Sequence, residues 1–401
     1  PSRGGGGAGA GARDDKKGEP EGGDGAGPAA VVDKHVLCVD VLVSGYVQSY
    51  VDFFYLTHRP DPNPDAVGGK DAEIDVAVED MHFIKENLTR AEAARRKGDT
   101  TSVYEAYNNL ALYYQGAADP KTGIYFYEKC LEISRLTGDV RGDMEANHNL
   151  GVAYEALDNV PSAIKFHERH LDLAKKQGDD AGERQANAEL VKLYRRQAEA
   201  LEAEGKLDAA CELHMRCLVA AQACGDRLAE GLANYRAGRV YVLLGETLKG
   251  VPFLENYLEI TKEVEGQDEG QGAAYAALAA AYQSLNQPEK AVDCLEQFLR
   301  IAEETGNLAA QSEACSNLGV IFNRRGEFDR AVEYFAKAYE LTRTHVSSGA
   351  GRRKELDAAR VNLGMARGNA QMGAYMNVIN FDVKSLLLWK NRRAPFEEGE
   401  E

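Results

Sequence analysis

The chain has 401 residues, with 47 Lys and Arg against 64 Asp and Glu, and its net charge of −17 argues against a general affinity for nucleic acid or acidic membrane surfaces. No run approaches the roughly 18 uncharged apolar residues of a membrane-spanning helix, and no charged start followed by an apolar run marks a secretory signal. Seven cysteines, odd in number and scattered through helical patterns, fit a reducing compartment such as the cytosol, where Cys acts as a small buried hydrophobe.

Residues 1–30 hold eleven glycines and hardly a large apolar side chain, so this arm is expected to be disordered. The chain opens at Pro1 rather than Met, and the natural N-terminus is expected upstream. From Asp33, the residues Val36, Leu37, Val39, Val43, Val47, Tyr50, Val51 and Phe54 recur at three- and four-residue steps, which predicts one amphipathic helix. Pro60, Pro62 and Pro64 end it, and a second helix is expected from about Asp71 to Lys97. Together, 31–97 reads as a helical cap.

The body of the chain, 98–345, is a repeat array. An aromatic recurs at Tyr114, Tyr154, Tyr194, Tyr241, Tyr282 and Phe322, in steps of 40, 40, 47, 41 and 40 residues. Alanine precedes each by eight, at Ala106, Ala146, Ala186, Ala233, Ala274 and Ala314. A small residue follows five of them by nine, at Gly123, Ala163, Gly250, Ala291 and Ala331. Fixed offsets over six copies predict an all-α solenoid of helical hairpins, each with an A helix ending near the aromatic and a B helix after a short turn. Gly-Asp or Gly-Asn separates copies at Gly138, Gly178, Gly225 and Gly306, glycine stopping one helix and Asp or Asn starting the next. In the third copy Tyr194 to Ala210 spans 16 residues instead of nine; seven extra residues are about two helical turns, so an insertion near 195–209 is expected to lengthen both helices into an antenna. Residues 346–393 read as a degenerate repeat with capping helices, in which 382–393, carrying Trp389, is expected to pack on the last repeat; 394–401 is an acidic tail.

The Leu-Gly-x-x-aromatic marks, as at Leu318-Gly319, with a small residue nine on and a large one four further (Tyr127, His167, His214, Leu254, Leu295, Phe335), resemble the tetratricopeptide repeat family. The period of about 40 is similar to its longer-repeat members, kinesin light chains and Gly-Asp-punctuated polarity adaptors. Three flanking stretches, 37–56, 88–99 and 385–393, resemble an axonemal branch of the family. What that resemblance implies is a structural protein of motile cilia and flagella, in the cytoskeleton, associated with inner-arm dynein attachment as part of a large assembly of axonemal proteins. The runner-up is a cytosolic peptide-binding adaptor for cargo or signalling; an enzyme subunit comes third.

No catalytic motif is present, and no cofactor or metal is expected. His167-Glu168-Arg169-His170 has a superficial likeness to a zinc-protease helix, but its histidines are three apart rather than four. Cys130, His170 and Cys217 share a repeat position, yet helices of neighbouring repeats stand about 10 Å apart, too far for short side chains to close on one tetrahedral ion. The binding face is more informative. Asparagines five before the aromatic, Asn109, Asn149 and Asn317, match those with which the resembling long-repeat adaptors grip a peptide main chain. In the middle copies Lys192, Arg195, Arg196, Arg236 and Arg239 are expected on the same concave surface, a basic cluster suited to an acidic partner segment, with a solvated face of local salt bridges as the bland alternative.

Overall fold

A computed structural model describes residues 34–59, 76–264, 266–347 and 353–392, and among them every regular element is an α-helix. The glycine arm, the proline link 60–75 and the acidic tail lie outside the described residues. The chain divides into two compact units, 1–109 and 110–401.

In the first unit the single helix read from the valine stripe is two: α1 (Lys34–Val43) and α2 (Val47–Thr57), broken where Gly45 takes φ +85°. Breaking the helix shifts its phase. Val36, Val39 and Val43 on α1 and Val47 and Val51 on α2 are exposed, and the buried face is Leu37, Cys38 and Val41 with Ser49, Phe53 and Leu56. These pack on α3 (Val78–Lys97), which buries Met81, Ile84, Leu88 and Ala91. Ser49 anchors the contact, its Oγ donating to the Leu88 carbonyl at 2.9 Å and its N–H to Glu92 at 2.8 Å. The unit closes with the first part of α4 (Thr100–Gly116).

In the second unit, antiparallel hairpins stack in chain order: α5 (Pro120–Thr137), α6 (Val140–Ala156), α7 (Val160–Gln177), α8 (Asp180–Ala203), α9 (Leu207–Cys224), α10 (Arg227–Leu243), α11 (Thr247–Glu263), α12 (Asp268–Ser284), α13 (Pro288–Glu304), α14 (Leu308–Arg324) and α15 (Phe328–Ser347). The separators work as their chemistry dictates. Gly138, Gly178 and Gly225 end helices in the left-handed region, and Asp139, Asp179 and Asp226 accept hydrogen bonds from the first amides of the next helix. The alanines eight before the aromatic are all buried, which lets neighbouring backbones approach closely. Most of the aromatics stack on a ring twelve residues on, with Tyr114–Phe126, Tyr154–Phe166, Tyr241–Phe253 and Phe322–Tyr334 centroids 5.3–5.9 Å apart.

The third copy departs from the expectation of an antenna. All seven additional residues enter α8, which has 24 residues against 17 in α6 or α10, while α9 keeps the 18 of α7. The downstream stack moves with them. His148 of α6 meets Gln185 of α8, 37 residues on, at 3.2 Å, and Arg236 of α10 pairs with Glu199, also 37 residues away, at 3.2 Å, despite the longer repeat. Likewise the tip bond of α9 joins His214 to Glu202 over the twelve-residue offset that separates Tyr127 from Gln115. The inserted turns are thus internal to the stack, a step of about 10 Å along the helix axis. Tyr194 lies below that tip, its hydroxyl donating to Glu168 at 2.6 Å under the Arg216 guanidinium.

At the C-terminal end, α16 (Arg353–Phe381) covers the last hairpin with Ala359, Leu363 and Ala366. The expected cover, α17 (Val383–Arg392), instead adjoins α16 and has no buried residue among those described; the side chain of Trp389 lies outside the described residues.

Candidate functional site

The A helices supply the candidate partner face. Asn109, in the first unit, is half-buried and donates to Asn87 Oδ1 at 3.2 Å; in the second unit Asn149 and Asn317 are half-buried in the matching register. Sequence reasoning missed a second set two residues earlier. Asn147, Asn187 and Asn234 are buried, and each donates its Nδ2 to the carbonyl one turn back, at 2.6, 2.8 and 2.9 Å. These bonds are internal to each helix.

The basic residues lie along α8 and on the neighbouring α10, which the Arg236–Glu199 pair brings beside it. Arg196 pairs with Asp158 in the turn of the preceding hairpin, and Lys192 pairs with Glu189 three residues back on its own helix, at 3.0 Å. Arg195 is exposed on the same turn. About one turn beyond Arg195, Glu199 pairs with Arg236 of α10, and Arg239 lies over the Tyr235 ring, 5.5 Å from its centroid. Local carboxylates answer three of the five charges, the pattern of a solvated face, and such exposed pairs contribute little to stability.

Beside Arg239 opens a trough of about 560 Å³ between α10, α12, α13 and α14. Its floor is small and apolar, from Gly272, Ala273, Ala276 and Ala277, and its rim sets Arg239 against Asp268, Glu269 and Glu313. The rim is therefore more acidic than basic. Alanine on successive turns leaves room for a partner's side chains to reach helix backbone, which suits an inserted peptide segment.

A second constellation lies inside the α6–α7 hairpin. His148 from α6 faces His167 and His170 from α7, with ring centroids 5.6 and 5.5 Å away, and one nitrogen from each of the three lies within 4.8 Å of the others. His167 and His170 are 0% and 4% exposed. Burial holds both well below the ordinary imidazole range, at about 4, and lowers His148 also, so all three are neutral at pH 7. Comparing equal positions in successive repeats could not find this group; comparing the two helices of one hairpin would have, because His148 lies six before Tyr154 and His170 sixteen after it.

Models of the tetratricopeptide repeat match residues 102–176, 231–304 and 314–345. Tetratricopeptide repeat protein 29 of Macaca fascicularis is 26% identical over 380 residues, 91% of this chain and 79% of that protein. The protein of the same name from Trypanosoma brucei brucei is 23% identical over 359 residues, 88% of this chain and 73% of its own length. Outer dynein arm-docking complex subunit 4 of Homo sapiens is 33% identical over 101 residues, covering 25% of this chain and 15% of that protein. Among the described residues no helix is long and apolar enough to cross a membrane.

Proposed function

We propose that this chain, a member of the tetratricopeptide repeat family and a protein-interaction scaffold, is a non-enzymatic component of the ciliary or flagellar axoneme that holds inner-arm dynein-associated proteins. The observation that carries the reading is the extent of the similarity. Repeats alone would align with any tetratricopeptide stack, whereas 91% of this chain is covered, well beyond the array of 98–345. The shorter likeness to an outer dynein arm-docking subunit points the same way. Stacked hairpins bury one face of each helix pair against its neighbours and leave the other for partners, which is scaffold physics and requires no catalytic group.

Immunolocalisation after detergent extraction tests the assignment. The protein should remain on extracted axonemes, and a wholly diffuse signal lost with the detergent fraction would sink it. The reversible-adaptor reading has one feature of its own in its favour, the alanine-floored trough between α10 and α14. It predicts that Ala276→Phe with Ala277→Phe releases the bound partner while the chain still folds. In the scaffold reading attachment spreads over several hairpins, and axonemal retention survives that pair of substitutions.

A further inference from the structure

Three imidazoles converge where nothing in the proposed scaffold role requires them. His167 and His170 stand three apart on α7, so both project from one face of that helix toward α6. His148 projects back from α6. Neither nitrogen of His167 has a hydrogen-bond partner, and Nδ1 of His170 and Nδ1 of His148 also lack one, although all four atoms are buried. Leaving so many ring nitrogens unpaired is costly, since each buried unsatisfied polar atom forfeits its hydration. A hydrophobic side chain at any of the three positions would avoid the cost. Imidazole also offers a neutral lone pair to a metal.

We propose that His148, His167 and His170 form a three-imidazole site for a divalent transition-metal ion of the Zn²⁺ type, set inside the α6–α7 hairpin with its fourth position open to water. The chemistry of the donor set fits. Zinc takes imidazole nitrogen at about 2.0–2.1 Å in tetrahedral geometry, which places its ligands roughly 3.3 Å apart. The nitrogens here lie within 4.8 Å of one another, so small ring rotations close the set. A supporting group is in place as well. The Gln185 carboxamide of α8 meets His148 Nε2 at 3.2 Å, and with its oxygen turned toward the ring it accepts the Nε2–H and leaves Nδ1 as the donor to the ion. The negative charge of Glu189 reaches both His148 and His167 and favours a cation, while the Lys192 ammonium, bonded to that carboxylate at 3.0 Å, opposes it at His167. Gly151 makes the approach possible, because a Cβ there would stand 2.4 Å from His167 Nε2.

The full chain, stripped with a chelator, is titrated with Co²⁺ as the spectroscopic probe and then with Zn²⁺. One equivalent of Co²⁺ should produce the intense visible bands of a four-coordinate ion, Zn²⁺ should abolish them, and Zn²⁺ should raise the melting temperature. His148 is only half-buried, so His148→Gln is the ligand variant that best keeps the fold; it should weaken Zn²⁺ binding by roughly 100-fold, and Gln185→Ala, on the surface, by about 10-fold. If Co²⁺ gives no tetrahedral spectrum with the folded wild-type chain, or if His148→Gln binds Zn²⁺ as tightly as wild type, the cluster is packing and the site does not exist.

Discussion

The regular hairpins and the stepped one solve the same packing problem with different registers. In α6–α7, one aromatic, Tyr154, sets both the contact across the hairpin and the contact to the neighbouring repeat. In α8–α9 these duties separate: Tyr194 serves the α7 side through Glu168, while the tip two turns on is closed by Ala198, buried, and Glu202, bonded to His214. A 24-residue helix can carry two registers because seven residues fall only about 20° short of two full turns. A solenoid thus absorbs a two-turn insertion as a shift of everything downstream, with no loss of core.

The largest expected effect breaks the phase. Deleting Arg195–Glu199, five residues, turns the tip of α8 by about 140° and should cost at least about 4 kcal/mol, read as loss of the cooperative urea transition. Deleting the seven residues Arg195–Leu201 removes the step instead. It should leave a cooperative melt lowered by roughly 1–3 kcal/mol, the cost of placing Val191 where the fully buried Ala198 now sits. Equal damage from both deletions would mean that register plays no part.

A smaller effect tests how tightly the two kinds of hairpin close. In the regular α14–α15 pair a Cβ on Gly319 would stand 2.9 Å from the Phe335 ring. Gly319→Ala should therefore lose about 1–2 kcal/mol by thermal unfolding, even after the gain of alanine in a helix. At the corresponding place in the stepped hairpin the reverse change, Ala198→Gly, should cost about 1 kcal/mol from backbone entropy. A stabilised Gly319→Ala would show that the ring has room to retreat.

These registers mark what was legible beforehand. The period, the Gly-Asp separators and the buried alanines at Ala146, Ala274 and Ala314 are legible because each follows from a local rule repeated along the array. The step is not, since an in-phase insertion preserves helical periodicity and does not say which helix lengthens. The valine stripe misleads for a related reason: its periodicity runs unbroken through Gly45, whose positive φ ends the helix, and Val47 and Val51 beyond it are exposed. Of the candidate site, the half-buried asparagines lie in the anticipated register. That local carboxylates pair three of the five basic residues is not legible in the sequence, and the histidine cluster depends on a cross-hairpin pairing that repeat alignment hides.

The two kinds of tip also differ in their response to pH. The regular α4–α5 tip is closed by Tyr127 donating to Gln115 at 2.6 Å, a neutral pair, whereas the stepped tip uses His214 and Glu202 at 2.5 Å. Burial lowers the His214 pKa, against the opposing pull of Glu202, so the folded ring stays neutral where the unfolded one would take a proton. The sign follows from that order. The contribution of His214 is fully present above its unfolded value near 6.5 and declines as pH falls below it toward the folded value. His214→Tyr with Glu202→Gln, copying the regular tip, should flatten this part of the stability curve between pH 7 and 5; an unchanged slope would assign the loss to other groups.

The smallest effect lies in the turns. The stepped hairpin turns through Gly205 at φ +76°, but the regular α4–α5 hairpin turns through Ala118 at φ +58°, where an L side chain crowds the carbonyl that follows it. Ala118→Gly removes that crowding and also enlarges the entropy of the unfolded chain, two terms that oppose each other. The steric term, about 1–2 kcal/mol, outweighs the entropic one, about 0.4–1 kcal/mol, so a net gain of roughly 0.5–1 kcal/mol is expected. Gly205→Ala reverses both signs and should lose a similar amount. Because neither side chain reaches a core, the two substitutions differ only in backbone conformation. If Ala118→Gly destabilises by chemical denaturation, the regular turn is held by contacts that the stepped turn lacks, and the two hairpins differ in more than register.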